Sequence, residues 1–463
     1  MEFEDSKQKS FVPINCIKYF LTVLKCECRE IFLWLIFVMI LVLSVMVVMP
    51  HEEFFQQELF KWQWQKNFLE WTLYTSLLYM VFLLFSAVFN RRWRSVYAGT
   101  ALPECTVIVP AYNEGRHVYD TIISILSGDY PEEKLHVIAI NDGSADDTLN
   151  WLNKAGSCSS KVSIIDLKKN QGKKNALYLG MLRSKGEIIV TVDSDSIIKR
   201  DTLRQIVQPF ADEKVGAVAG SIAGKNINAN WHARLLDVML VFGCEFLRRA
   251  QGASGNVFCT PGALSAYRKK AILPVIDEWL NQTFMGRPSK IGEDRAIATL
   301  LLRDGFKIVH QPRAEAETCL PDNYQGGCKM LLRWTRSDIR ENILMTAFVL
   351  KRVKLFSFRS CFLFIHWFAL CINMLLPMIF LPVGIYSLIS GGSMIRQIAF
   401  IYIGIALWGI IPATVYIIRK KSFISAVWAF LFGYYALFTF SWITFYSLFT
   451  ISNSNWLTRE KKL

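Results

Sequence analysis

The sequence predicts an α/β domain with a mostly parallel sheet, inserted between the membrane-spanning helices of a multi-pass protein. Short β-rich runs alternate with amphipathic helical stretches in the middle of the 463-residue chain, polar residues follow several of these runs, and long apolar runs flank the region. Such alternation is typical of α/β domains, whose ligands bind beyond the carboxyl ends of the strands. We expect three regions: two transmembrane helices in 1–96, the cytosolic domain in 104–345, and interfacial and transmembrane helices in 346–463.

The apolar runs favour a location in the cell membrane. Hydrophobic residues make up 52% of the chain and charged residues 19%. Runs of about the roughly 20 residues that cross a bilayer lie at 31–49, 68–89, 361–389, 399–418 and 426–451. Basic residues follow the second and fourth runs, so the positive-inside rule places the N-terminus and the middle region in the cytoplasm. The fifth run is rich in aromatic residues and would leave a basic tail outside if it spanned, which favours four spans and one membrane-bordering segment.

The charge and the cysteines narrow the range of partners. The net charge of +14 is expected to face anionic lipid headgroups or an anionic substrate, and no nucleic-acid partner is expected. The 11 cysteines show no zinc-ligand spacing, and in a cytosolic domain we expect them to be reduced. The sequence leaves the oligomeric state open.

The middle region gives a definite order of elements. Strands are predicted at 106–109, 137–140, 162–165 and 188–192, with helices at 118–126 and 173–182 between them and a further helix at 296–302. The histidines at 232, 310 and 366 form no ligand-like cluster and are expected to be structural.

Carboxylates follow several of the predicted strands. Each alone has the ordinary interpretation of a turn or helix cap, but together they have a chemical logic. Asp142 can hold a nucleobase edge with Glu114 nearby, and Asp195 can ligate a metal bound to a diphosphate. Asp193 can face the ribose or the donor sugar, and Asp294 can take a proton from an attacking hydroxyl.

Two basic stretches leave alternatives open. Lys173 and Lys174 follow a glycine-containing turn and either contact a nucleotide or form a solvated pair. The segment 333–340 is amphipathic and basic. It is either a plain surface helix or an interfacial helix whose Arg336 and Arg340 meet lipid phosphate or UDP.

The order of these motifs resembles that of processive, membrane-embedded family 2 glycosyltransferases, most closely the hyaluronan synthases and the nodulation chitooligosaccharide synthases. The resemblance covers about 106–340 and a short piece near the C-terminus. The stretch 281–295, NQTFMGRPSKIGEDR, is similar to the bacterial hyaluronan synthase segment that leads into the catalytic acid pair. The stretch 259–268, CTPGALSAYR, is similar to their acceptor-side loop, and 455–459, NWLTR, to their Trp-Gly-Thr-Arg gating loop.

The resemblance implies a GT-A nucleotide-sugar domain docked on a transmembrane channel, which polymerises sugar from UDP-sugar donors and extrudes the growing polysaccharide. It implies that Glu293 and Asp294 are catalytic, with Asp294 the general base, and that Asp195 binds Mg²⁺ or Mn²⁺. The implied donor contacts are Ala111, Tyr112, Glu114, Asp142, Lys173, Asp193 and Arg333. The implied acceptor and gating residues are Cys259, Gly262, Leu264, Trp334, Trp456, Thr458 and Arg459.

Two positions depart from the family pattern. Met330 replaces the Gln of the Gln-x-x-Arg-Trp motif, which removes a hydrogen-bonding amide. Arg333 is retained and can meet the diphosphate, and Trp334 is retained and can stack on an acceptor sugar. Leu457 replaces the Gly of the gating loop. Both replacements weigh against hyaluronan itself and against full processivity, and leave the catalytic class unchanged.

The main expectation is therefore a processive inverting β-glycosyltransferase that uses UDP-GlcNAc, with UDP-GlcA as a second donor. A chitooligosaccharide or poly-N-acetylglucosamine synthase that uses UDP-GlcNAc only is the alternative, followed by a single-transfer enzyme acting on a lipid. A transporter whose soluble domain only binds nucleotide would need neither a general base nor a metal-binding Asp-x-Asp.

Overall fold

Eight strands form one mixed sheet in the computed structural model, which describes residues 78–87, 102–389 and 394–454. The sheet has the order β3-β2-β1-β4-β7-β6-β10-β5. Its strands are β1 (Cys105–Ala111), β2 (Leu135–Asp142), β3 (Val162–Leu167), β4 (Ile188–Thr191), β5 (Ile197–Ile198), β6 (Val215–Gly224), β7 (Ser265–Arg268) and β10 (Lys307–Thr318). The strands β8 (Thr283–Phe284) and β9 (Arg287–Pro288) pair separately as a short hairpin.

The predicted mostly parallel sheet is confirmed. Strand β1 lies parallel to both β2 and β4, β2 lies parallel to β3, and β6 lies parallel to β10. The exceptions are β7, which is antiparallel to β4 and β6, and the short β5, which is antiparallel to β10. The four strands predicted from sequence correspond to β1, β2, β3 and β4.

The α-helices of the domain are α1 (His117–Leu126), α2 (Thr148–Cys158), α3 (Lys173–Arg183), α4 (Thr202–Val207), α5 (Trp231–Phe242), α6 (Arg249–Ala253), α7 (Lys269–Ile272), α8 (Ile276–Leu280) and α9 (Glu293–Arg303). The π-helical turn Gly243–Arg248 joins α5 to α6, and 3₁₀ turns lie at Glu132–Lys134, Gln208–Ala211 and Leu273–Val275. The long helices α10 (Tyr324–Val353), α11 (Phe358–Ile389), α12 (Met394–Lys420) and α13 (Ser425–Phe449) follow the last strand.

Alternation along the strands divides the core into two layers. Val107 and Val109 of β1 point into the cluster beneath α1, α2 and α4, whereas Ile108 points into the cluster beneath α3, α8 and α9. Residues one apart on a strand face opposite sides of the sheet, so a sheet buried on both faces needs apolar residues at consecutive positions. This is why β1, β2 and β4 read as nearly continuous apolar runs.

The C-terminal helices contain the apolar runs that predicted membrane spans. Within the described residues, the segments Phe358–Leu375 of α11 and Ser425–Phe449 of α13 are long and apolar enough to cross a membrane by length and composition. The buried share is 22% in the α11 segment and 17% in the α13 segment. The core helix of a soluble domain would be mostly buried. The fifth apolar run, expected to border the membrane, is thus one 25-residue helix of spanning length.

The other predicted membrane features lie largely outside the described residues. The first apolar run, 31–49, is not described, and the second is represented by the helix Leu78–Ala87. The gating-loop residues Trp456, Thr458 and Arg459, together with Leu457, also fall outside the described part of the chain.

Candidate functional site

The sheet topology brings the predicted motifs to one edge. Strands β2, β1 and β4 are parallel neighbours, so their carboxyl ends meet at the same edge of the sheet. Ala111 and Asp142 end β1 and β2, and Asp193 follows β4 by two residues. Tyr112 and Asp193 are partly buried, whereas Ala111 and Asp142 are buried.

Asp142 fixes the loop that leads into α3. The Gln171 N–H donates to its Oδ1 (2.7 Å), and the Gly172 N–H donates to its Oδ2 (2.9 Å). A carboxylate that accepts backbone N–H bonds on both oxygens is a strong, directional anchor. Asp142 thereby fixes the position at which α3 begins, and with it the position of Lys173, the first residue of that helix.

Lys173 joins two of the predicted carboxylates. Its Nζ lies 2.6 Å from Asp193 Oδ1 and 2.9 Å from Glu293 Oε1, with only 10% of the lysine side chain exposed. Burial opposes the charge of Lys173, but Asp193 and Glu293 outweigh it and hold the pKa of the ammonium above its usual value. Burial likewise raises the pKa of Glu293, yet Lys173 more than offsets this and keeps the pKa below its usual range.

Lys174 is also buried and has contacts of its own. Its side chain is 7% exposed, its Nζ donates to the Ser289 carbonyl (3.1 Å), and it lies 5.3 Å from the centre of the Trp279 ring. Burial lowers the pKa of Lys174 to about 8. The alternative of a solvated basic pair is therefore wrong for both lysines.

The acceptor-side loop lies close against the lysine cluster at Gly262. A Cβ added to Gly262 would lie 2.7 Å from Lys173 Nζ and 3.2 Å from Asp193 Oδ2, so no larger residue fits without displacing them. Leu264 is different: its side chain is fully buried in the sheet core, against Gly220. The implied acceptor contact by Leu264 is corrected to a packing role, because this side chain points beneath the loop.

The start of α9 places the acid pair in the same cleft. Gly292 has a positive φ of 74°, and a Cβ there would lie 1.7 Å from Ser337 Oγ on α10. The helix can therefore begin at Glu293 only because residue 292 has no side chain. Carboxylates in the first turn of a helix face its positive dipole end, and the Trp279 indole N–H also holds the Glu293 carbonyl (2.9 Å).

Asp294 has the environment of a general base. The Arg295 N–H donates to its Oδ1 (2.8 Å), and the Cys259 thiol lies 3.7 Å from its Oδ2. Burial, followed by the neighbouring Glu293 charge, raises the pKa of Asp294 to about 6, although Lys173 acts in the opposite direction. Burial and then Asp294 raise the pKa of the Cys259 thiol, which therefore stays protonated and can donate. A carboxylate with a pKa near 6 is ionised at neutral pH yet basic enough to accept a proton.

A small, narrow cleft connects these groups. The cleft therefore contains both of the expected catalytic acids and the expected acceptor glycine. It is lined by Lys173, Asp193, Gly262, Glu293 and Asp294 together with Pro110, Leu177, Met181, Thr191, Val192, Tyr267 and Ile297.

Helix α10 carries the Arg-Trp pair past the cleft. Arg333 is one of the cations that act on both Glu293 and Asp294. Trp334 is 36% exposed, so its ring is accessible. Met330 is 6% exposed and lies in an apolar cluster with Phe440. The inference that Met330 removes an amide from the site is therefore wrong, since this side chain points into the core.

The interfacial role predicted for Arg336 and Arg340 is also wrong, as is the alternative of a plain surface helix. Their exposed fractions are 2% and 1%. Arg336 donates to Thr450 Oγ1 from Nε (3.1 Å) and Nη2 (2.9 Å), and Arg340 donates to the Ile291 carbonyl. Both guanidiniums tie α10 to other parts of the chain, which the local pattern of basic residues cannot reveal.

Asp195 lies further along the edge, beside the end of β10. Its Oδ1 is 3.3 Å from Thr318 Oγ1 and 3.4 Å from Ser196 Oγ. In the described part of the chain, no group of three or more His, Cys, Asp or Glu side chains is arranged to hold a metal ion. One hard carboxylate of this kind fits Mg²⁺ or Mn²⁺ only if the remaining ligands come from a diphosphate and water, as is usual for such ions.

The three histidines each have a separate structural contact. His232 Nδ1 lies 3.0 Å from the Pro321 carbonyl, His310 Nε2 lies 3.2 Å from Ser221 Oγ, and His366 Nδ1 lies 3.4 Å from Tyr79 OH. All three are buried, which confirms the structural interpretation.

Sequence reasoning missed two residues around Asp294. Thr260 Oγ1 donates to the Asp294 carbonyl (3.1 Å). Burial disfavours the charge of Arg248, but the nearby Asp294 carboxylate contributes to holding the pKa of the guanidinium above its usual value. Thr260 lies in the quoted acceptor-side loop and could have been singled out there, whereas no local motif marks Arg248.

Comparison with known proteins gives a consistent result. The sequence profile of Glycosyl transferase family 2 matches residues 106–273. An N-acetylglucosaminyltransferase of Azorhizobium caulinodans is 30% identical over 366 residues, which is 77% of this chain and 88% of its own length. One of Mesorhizobium japonicum is 35% identical over 249 residues, 53% of this chain and 58% of its own length. In seven such relatives the match spans 51–59% of the relative's length, little more than half.

A solved structure has the same fold. A mannosyltransferase from Pyrobaculum calidifontis, in complex with GDP-Man and Mn²⁺, aligns with a TM-score of 0.53 at 20% identity, covering 79% of this chain and 94% of its own. The sheet and its surrounding helices thus form a GT-A-like domain.

Proposed function

The chain belongs to the family 2 glycosyltransferases, and from this premise we propose that it is a membrane-associated N-acetylglucosaminyltransferase that makes a β-linked chitooligosaccharide from UDP-GlcNAc. The observation that carries the proposal is that Asp294, whose pKa burial raises to about 6, shares one cleft with the Lys173–Glu293 pair. The choice of donor is supported by the relatives that are named N-acetylglucosaminyltransferase.

The proposed reaction needs one base and a stabilised leaving group. Asp294 takes the proton of the acceptor hydroxyl while that oxygen bonds to the anomeric carbon of the donor. The bond from this carbon to UDP breaks on the opposite face, so the configuration inverts and UDP leaves with the electron pair. A divalent cation, when bound at Asp195, supplies positive charge to the diphosphate. Lys173 and Arg333 are the cations of the chain proposed to balance charge near the leaving group.

The donor and acceptor sides follow from the cleft. We assign Ala111, Tyr112, Glu114, Asp142, Lys173, Asp193 and Arg333 to the donor side. We assign Cys259, Gly262 and Trp334 to the acceptor side. The accessible ring of Trp334 supports this, because an aromatic face can stack on a sugar.

The contacts at the end of α12 support a membrane arrangement with the catalytic domain on the cytoplasmic side. Arg419 lies 2.6 Å from Glu315 and 3.6 Å from Glu245, and Lys420 lies 2.8 Å from Asp237. These basic residues belong to the positive-inside signal. Because they pair with carboxylates of the domain, the C-terminal end of α12 and the domain would share one side of a bilayer. We further propose that the C-terminal helices pass the elongating product across it.

Incubation of the full chain in membranes with radiolabelled UDP-GlcNAc and Mn²⁺ tests the proposal. We expect UDP release and a chitinase-sensitive product without UDP-GlcA. A requirement for UDP-GlcA and a hyaluronidase-sensitive product would instead indicate a hyaluronan synthase. Long chains at low donor conversion would support processive extension, whereas products that grow one sugar at a time would refute it.

A matched pair of variants tests the base. Asp294→Asn is expected to lower the transfer rate by about 10²- to 10⁴-fold while leaving UDP binding within about twofold. Asp304→Asn, in an exposed pair with Arg303 at the end of the same helix, is the control and should keep the wild-type rate. A rate of Asp294→Asn within a few-fold of the control would show that another group takes the proton.

A further inference from the structure

Arg295, the residue after the proposed base, joins three separate segments of the chain. It is 2% exposed. Its Nη1 donates to the Phe258 carbonyl, its Nη2 donates to Asn342 Oδ1 (2.6 Å), and its Nε lies 3.4 Å from Asp338 Oδ1. The guanidinium also lies 5.0 Å from the centre of the Phe258 ring. One side chain thus bridges α9, the segment before the acceptor-side loop, and α10.

The Phe258 end of this bridge leads directly to Asp294. Phe258 precedes Cys259, whose sulfur lies 3.7 Å from Asp294 Oδ2, and Thr260 donates to the Asp294 carbonyl (3.1 Å). The acceptor-side loop therefore touches the base at both its carboxylate and its backbone. Arg295 ties the beginning of that loop to the helix that carries the base.

The Asn342 end leads to α11. The Trp367 indole N–H donates to the Asn342 carbonyl (3.0 Å), and the Asn342 amide donates to Met374 Sδ (3.4 Å). Trp367 and Met374 both lie in Phe358–Leu375, the part of α11 that is long and apolar enough to cross a membrane. Asn342 itself is 2% exposed.

We infer that Arg295 is a positioning residue, which holds the Phe258–Thr260 loop against Asp294 at a place that Asn342 and α11 determine. A buried guanidinium is costly to desolvate, and an apolar side chain of similar size would often pack at least as stably. Its planar fork instead donates to a carbonyl and to an amide oxygen in two fixed directions, which a lysine cannot reproduce fully. The inference rests on the proposed function only for the identity of the acceptor.

Kinetics separate a positioning role from a general effect on folding. In Arg295→Met, kcat/KM for a chitobiose acceptor is expected to fall about 10- to 100-fold, because a displacement of about 1 Å near the reacting groups can cost about 10²-fold. UDP affinity should stay within about twofold, and Arg295→Lys should recover part of the loss. Arg303→Met is the matched control: Arg303 lies on the same helix as Arg295, and its removal breaks an exposed pair with Glu278 of α8. Equal losses in acceptor use and UDP affinity would overturn the positioning role.

A second measurement does not depend on turnover. The rate at which Cys259 is alkylated, resolved by peptide mass spectrometry with the exposed Cys158 as internal reference, reports how tightly the loop is held. We expect about a tenfold faster reaction at Cys259 in Arg295→Met and in Asn342→Leu, and no further increase in the double variant, because both act through one contact. Unchanged Cys259 reactivity in both variants would refute the inference.

The two measurements also separate this inference from the proposed function. If the wild-type chain shows no UDP-GlcNAc transfer but Cys259 responds as expected, the proposed function fails and the positioning role stands. If transfer is normal and the Cys259 alkylation rate does not change in the variants, the proposed function stands and the positioning role fails. Should Arg295→Met not fold, Arg295→Lys and Asn342→Leu carry the same test.

Discussion

The raised pKa of Asp294 leads to a quantitative pH dependence. Burial beside Glu293 raises the pKa of Asp294 to about 6, and a general base acts only when it is ionised. The ionised fraction is then about 0.9 at pH 7 and about 0.1 at pH 5, so the rate should fall about tenfold between these values. A carboxyl with an ordinary pKa of about 4 would lose only about a tenth of its ionised form over the same interval.

The ratio kcat/KM for UDP-GlcNAc, taken from initial rates of UDP release between pH 4.5 and 8, checks this expectation because it reports the pKa of the donor-free enzyme. Glu293→Gln removes the neighbouring charge that raises the pKa of Asp294, so the acid limb of kcat/KM should move to lower pH even though the maximal rate falls. A wild-type rate at pH 5 within twofold of the rate at pH 7, in protein that remains folded, would refute the reasoning. An acid limb that moves to higher pH in Glu293→Gln would refute it as well.

The same pKa shift has a consequence for stability. Because the pKa of Asp294 is higher in the folded state than its ordinary value, the folded state binds this proton more tightly. The resulting stabilisation is fully present below about pH 4 and is lost as the pH rises through about 6. At pH 7 the Asp294→Asn variant should therefore have a higher thermal midpoint than wild type, and at pH 4 the difference should shrink. Activity and stability would then change in opposite directions at this position.

Three further substitutions test other parts of the site. Asp195→Asn should weaken Mn²⁺-dependent UDP binding in a titration and leave metal-free binding unchanged, whereas unchanged affinity in both conditions would exclude Asp195 as a ligand. Gly292→Ala should abolish most transfer, because the added Cβ would lie 1.7 Å from Ser337 Oγ. Adding Ser337→Gly to the same chain should restore part of the transfer rate. If the rate is not restored, a clash with Ser337 is not the cause. Lys420→Met should lower the free energy of unfolding by about 1–3 kcal/mol, since Asp237 is fully buried and loses a partner at 2.8 Å. Chemical denaturation of the detergent-solubilised chain measures this effect, and an unchanged midpoint would show that the pair adds nothing.

The sheet could be predicted because its signal is local. Apolar runs of strand length, each followed by polar residues, located β1 to β4 to within three residues at each end. That Asp142 and Asp193 lie at the same edge followed from the same signal, since parallel neighbouring strands end at one edge. The helix at 296–302 was predicted from its own pattern, but only the resemblance of its first residues to a known motif placed Asp294 at the cleft.

Side-chain direction could not be predicted. Leu264 and Met330 lie in the expected segments, yet both side chains point into apolar clusters. Arg336 and Arg340 are held by partners that are distant in sequence. Thr450 lies 114 residues from Arg336, and Ile291 lies 49 residues from Arg340. Motifs identify which segment enters a site, but the facing segments decide which of its side chains reach the ligand.

The two lysines at the start of α3 illustrate why the cleft is more than a set of adjacent motifs. Cations at a helix N-terminus oppose its dipole, and Lys173 is stabilised there by its ion pairs with Asp193 and Glu293. A diphosphate that draws Lys173 toward itself would therefore leave Glu293 less neutralised. Since Lys173 lowers the pKa of Asp294 and Glu293 raises it, that movement would make Asp294 a stronger base. If the proposed donor and base roles hold, donor binding and base strength would be linked through one ammonium group, and Asp294 would be most basic when a donor is bound.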